Sequence, residues 1–152
     1  MRMRRVLAIG LLIAPYFFQV VAAQEVNTQI VGDSISHPLT SAPADVERGR
    51  AIVTSRHVGL CLLCHNGPFP EEPFQGNLAP DLGLSVATMN AGQLRARLVN
   101  PTHFNPNTIM PAYYQTAGLT QVAPKFVGQT ILSAQEIEDV IAFLVTLNNQ
   151  TK

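Results

Sequence analysis

An all-α fold of three to four short helices separated by long loops is what this 152-residue sequence predicts. Apolar residues recur at helical spacing behind recognisable N-caps in three places, no stretch alternates in the manner of a strand, and two long segments are dense in proline and glycine. The composition is 47% hydrophobic and 13% charged, a balance that excludes a largely disordered chain. A net charge of zero excludes the basic face a nucleic-acid binder would need. Two cysteines are too few for a disulfide scaffold.

Taken in chain order, residues 1–23 open with three arginines, continue through an apolar run and end Val21-Ala22-Ala23. That is the pattern of a signal peptide cleaved after Ala23, and it implies export to the periplasm. The apolar stretch reaches spanning length only if Pro15 and Gln19 are counted, so no membrane attachment is expected after cleavage. Cleavage removes Arg2, Arg4 and Arg5 and no acid, which leaves seven basic residues against ten acidic ones. The exported chain is therefore mildly acidic.

Residues 24–43, with Gly32, Pro38 and Pro43, read as an irregular leader, and residues 44–152 as one domain. Asp45 caps a helix running to about Ser55, with Val46, Ile52 and Val53 on its apolar side. Residues 66–88 hold four prolines and read as loop. Asn90 and Gln93 form a capping box that opens a helix through Val99, with Leu94 and Leu98 on one face. Pro101 stops it, and residues 101–132 form a second loop. Ser133 and Glu136 start the clearest helix, carried by Ile137, Val140, Ile141, Leu144 and Val145 and closed by Asn148 and Asn149. Structureless loops of that length inside one small domain need a partner to bury their apolar side chains. A large prosthetic group would supply it.

Cys61-Leu62-Leu63-Cys64-His65 is the Cys-x-x-Cys-His pattern of covalent haem attachment. Two thiols at that spacing reach the two vinyl groups on one porphyrin edge, and the adjacent imidazole then lies beneath the iron. A dithiol redox pair would sit in a strand–helix alternation that is missing here. Structural zinc would need two further ligands, and a plain disulfide would have no use for the histidine. With four histidines in 152 residues, one falling there by chance is about a 1-in-38 event, which favours haem.

The other axial ligand is sought among Met89, Met110, His37, His57 and His103. Met110 is preferred, because it lies in a long loop free to cover the distal face and is followed by the stiffening Pro111. His103 ranks next, and Met89 has core packing as its simpler role. His65 needs an acceptor for its other ring N–H, and the carbonyl of Pro80 is the candidate, the alternative being a plain turn proline. Arg95 and Arg97 are candidates for pairing with the haem propionates, set against the simpler role of a solvated helix face.

This order of helix, haem motif, loop methionine and final helix resembles a class I cytochrome c, with Gly49 and Phe143 at the crossing of first and last helices. More closely, the chain resembles the SoxX family over about residues 46–147. Three blocks carry the resemblance: Gly49-Arg50-Ala51 leading to Cys61–His65, Glu72-Pro73-Phe74-Gln75-Gly76-Asn77 running into Pro80-Asp81-Leu82, and Asn105–Tyr114 continuing to Glu136. The resemblance implies one haem c held by Cys61 and Cys64, with His65 and Met110 on the iron and the Pro80 carbonyl on the histidine. It implies a heterodimer with a SoxA-like cytochrome that oxidatively couples thiosulfate to a cysteine of a SoxYZ-like carrier, an L-cysteine S-thiosulfotransferase. Its thiol chemistry would lie on the partner, and the electrons would leave through this chain to a downstream cytochrome c. The absence of a third cysteine fits that division, since no thiolate remains for sulfur chemistry. The alternative is a freely diffusing periplasmic cytochrome c, and only Lys125 and Lys152 would remain as lysines to steer its partners.

Overall fold

The computed structural model describes residues 28–148. The expected signal peptide, the start of the expected leader and the closing Asn149 lie outside the described residues. Four α-helices make the frame: α1 Val46–Thr54, α2 Leu82–Ser85, α3 Ala91–Val99 and α4 Ala134–Asn148. Single 3-10 turns stand at Cys61–Leu63, Pro101–His103 and Pro124–Phe126. Among the described residues there is no strand, only an isolated bridge between Val31 and Ser34.

Each long helix begins where its local chemistry dictates. The Asp45 carboxylate accepts from the Arg48 N–H at 2.9 Å. Asn90 and Gln93 form a reciprocal box at 3.0 and 2.9 Å, and Ser133 and Glu136 form another. A fourth cap was missed: Asp81 accepts from the Leu84 N–H at 3.1 Å and opens α2 inside the segment read as loop. Four residues are too few to show a period, so only the cap marks this helix.

The core sits where α4 crosses α1, with α3 against the other flank of α4. A Cβ on Gly49 would come within 1.9 Å of the Asp139 carbonyl oxygen and 3.0 Å of the Phe143 Cβ. Glycine is what lets the two backbones meet. Phe143 and Phe69 rings lie 6.0 Å apart, and the Arg50 guanidinium stands over both. The residues from 28 to 43 are irregular but belong to this core, with Ile35 and Leu39 buried in it. Val46, by contrast, is partly exposed rather than part of the apolar face of α1.

Three charged groups are buried at the seams, Asp139 and the pair formed by Arg95 and Glu138. Glu138 of α4 accepts from Arg95 Nε and Nη2 of α3, both at 2.7 Å, and from the Leu39 N–H at 2.9 Å. Arg95 Nη1 donates to the Ile35 carbonyl at 2.7 Å. One ion pair thus binds α3, α4 and the entering chain together. Arg95 is 3% exposed, which corrects the expectation that it pairs with propionates or lies on a solvated face.

Candidate functional site

Between α1 and α3 the chain folds back on the Cys61–His65 segment. Leu60, just before it, holds φ +60°, a left-handed backbone that costs a non-glycine residue about 1 kcal/mol or more. Cys61 opens a single 3-10 turn and Cys64 caps its end, the two standing as separate thiols. Burial pushes the Cys61 thiol up to about 11, against the lowering effect of its contact with Tyr113. It is a neutral thiol at pH 7, unlike the depressed thiolate of a dithiol redox pair.

The proline-rich segment after His65 is laced back by the main chain. The Gly76 N–H donates to the Leu62 carbonyl at 2.8 Å, the Ala79 N–H to Cys64 at 3.0 Å and the Leu82 N–H to Asn66 at 2.8 Å. A Cβ on Gly76 would lie 2.3 Å from the Leu63 carbonyl oxygen, so the close approach requires glycine. Gln75 braces the turn from inside, accepting from the Gly67 N–H and donating to the Phe69 and Glu72 carbonyls. These bonds bring the Pro80 carbonyl to 2.6 Å from His65 Nδ1. A carbonyl only accepts, so Nδ1 donates and Nε2 is the ring nitrogen left to meet a ligand.

Cys61, His65, Pro80, Met110 and Tyr113 line two adjoining cavities of about 190 and 530 Å³. The inner cavity is walled by aliphatic residues of α1, α3 and α4, among them Val53, Leu94, Leu98, Val140 and Leu144. Met110 lines both cavities, whereas Met89 reaches only the inner one. His37, His57 and His103 are exposed and line neither, so a histidine partner for His65 finds no support here. Arg97 lines the inner cavity beside Leu98.

Tyr113 was missed by the reading of the sequence. Buried to 4% exposure, it donates its hydroxyl to the Gly59 carbonyl at 2.6 Å. Its N–H donates to the Leu98 carbonyl at 2.9 Å, and its own carbonyl accepts from the Leu132 N–H at 3.1 Å. It therefore ties the loop that bears Met110 to the approach of the haem motif, to α3 and to the entry of α4. Burial raises its hydroxyl above the ordinary tyrosine range, so the donor stays protonated. Its signal was its place three residues after Met110.

The donor set suits a haem. Two thiols, an imidazole oriented through Nδ1 and a thioether surround a cleft with apolar walls, as a large, mostly apolar macrocycle with one iron requires. Groups of three or more histidine, cysteine or carboxylate side chains able to hold a bare metal ion are absent among the described residues.

No protein-family model and no curated relative matches the sequence. Among solved structures, the crystal structure of SoxXA from P. pantotrophus contains a chain 36% identical to this one. The two superpose with a TM-score of 0.70 over 78% of this chain and 92% of that chain. A fold with no strand among the described residues, closed around such a cleft, defines a class I cytochrome c. Within that class the chain belongs to the SoxX family, as a SoxX-like electron-transfer cytochrome.

Proposed function

We propose that this chain is the electron-transfer subunit of a thiosulfate-oxidising cytochrome pair. It holds one haem covalently through Cys61 and Cys64, with His65 and Met110 as axial ligands, and it works in the periplasm after loss of residues 1–23. It takes electrons from a SoxA-like partner that couples thiosulfate to a cysteine of a SoxYZ-like carrier, and it delivers them to a downstream cytochrome c. When bound, the haem supplies a one-electron iron couple. The protein's own groups do the rest. The Pro80 carbonyl sets the tautomer and direction of His65, Tyr113 anchors the loop bearing Met110, and the aliphatic walls exclude water. No helix among the described residues is long and apolar enough to cross a membrane.

The observation that supports a fixed partner is the rim of the outer cavity. Its lining contains no aspartate, glutamate, lysine or arginine, and Leu63, Leu78 and Ile109 stand there beside the uncharged Asn105, Asn107 and Thr108. Diffusible carriers steer encounters with charge and lose rate as salt screens it. An uncharged rim instead favours a lasting, contact-driven interface. Native purification at low salt and in 1 M salt tests this. The chain is expected to emerge in both with a second haem-staining cytochrome. A monomer at low salt, or a complex that dissociates in salt, would favour the diffusible carrier.

A further inference from the structure

Arg95 and Arg97 stand on α3 either side of Ala96 and meet opposite fates. All the Arg95 contacts described above are internal to the fold, on Glu138 and the Ile35 carbonyl. Arg97 reaches the inner cavity, where it is the sole Asp, Glu, Lys or Arg in the wall. Its guanidinium lies 4.4 Å from the centroid of the Phe104 ring, and its Nη1 donates to the Gln93 carbonyl at 3.1 Å. One of its five N–H groups is thereby used within the protein. No carboxylate among the described residues comes within ion-pairing distance of it. The nearby Asp33 carboxylate feels the Arg97 charge but takes its hydrogen bonds from Gln93 Nε2 at 2.7 Å and Ser34 Oγ at 2.9 Å.

A permanent cation in an otherwise uncharged, apolar wall is placed to meet an anionic group of a ligand seated there. A haem brings two propionate carboxylates, and a planar, permanently charged fork is the side chain suited to grip one. Stacking on Phe104 holds that fork in orientation before the ligand arrives. We propose that Arg97 is a positioning residue for the carboxylate edge of the haem, and that its charge raises the reduction potential of the site. Positive charge near the iron disfavours the ferric state, which carries one more positive charge than the ferrous. The assignment rests on the haem reading above.

The test is redox titration of the haem-loaded protein as wild type, Arg97→Gln and Arg97→Lys, followed in the α-band. Arg97→Gln is expected to shift the midpoint potential downward, and Arg97→Lys to recover most of that shift. An unchanged potential in Arg97→Gln, or an equal fall in both variants, would overturn the proposal, because charge would then not be the cause. Where Arg97→Gln fails to retain haem, retention in Arg97→Lys supports the role and loss in both refutes it. Intact mass separates the two levels of failure. A wild-type chain without covalent haem defeats the haem reading and this inference together, whereas a loaded wild type with an indifferent Arg97 defeats only the latter.

Discussion

The carboxylate of Asp139 accepts from Arg48 Nε at 2.5 Å and Nη2 at 2.9 Å, from the Asp45 N–H at 2.8 Å and from Gln135 Nε2 at 2.9 Å. Burial works to raise its pKa, but the bonds from Arg48, Asp45 and Gln135 prevail and hold it below the ordinary carboxylate range. A carboxyl lowered in the folded state contributes stability that is full above the unfolded value, near 3.9, and lost as pH falls through the folded one. Asp139→Asn should therefore flatten the decline of stability below about pH 4, which urea unfolding across pH 2–6 would show. At the iron the prediction is optical. Met110→Ala should abolish the weak charge-transfer band of iron–thioether bonding, while Met89→Ala keeps it. The reverse result would move the ligand to Met89, the other thioether that reaches the cleft.

The helices were legible because their signals are local. Asp45, the Asn90–Gln93 pair and the Ser133–Glu136 pair each announce a start within four residues, and each start is found there. What escaped depends on long-range contact. Nothing beside Ile35 or Leu39 reveals that they reach α3 and α4, and Tyr113 shows its role only once Gly59 is beside it. Gly49 bridges the two kinds, since its place in α1 is local and its necessity comes from α4. Gly49→Ala sets a methyl against a helix carbonyl that cannot yield. It should cost about 3 kcal/mol, the upper end for overpacking, read as a lower denaturant midpoint at unchanged slope. For the buried pair, Arg95→Met should cost about 3–5 kcal/mol by leaving Glu138 buried and uncompensated. Adding Glu138→Leu should restore part of that but not all, because the Leu39 N–H and Ile35 carbonyl then lack their partners.

For the whole molecule, the conflict between long loops and a small domain resolves at the cleft. The loop after His65 is laced onto the haem motif, and the loop bearing Met110 is tied to α3, α4 and Gly59. Haem chemistry could be proposed from the sequence because Cys-x-x-Cys-His concentrates three candidate groups in five residues. The character of the rim could not, because Leu63, Leu78 and Ile109 come together only through the fold. An uncharged mouth is what the proposed subunit, receiving electrons across a standing interface, would present. The most direct test is to assemble the chain with its SoxA-like partner and a reduced SoxYZ-like carrier, add thiosulfate, and follow this cytochrome's α-band. Joining thiosulfate to the carrier thiol as a disulfide-linked sulfonate releases two electrons and a proton, so the α-band should rise as the adduct forms. Adduct formation with this cytochrome remaining oxidised, while its partner alone passes electrons onward, would contradict the account.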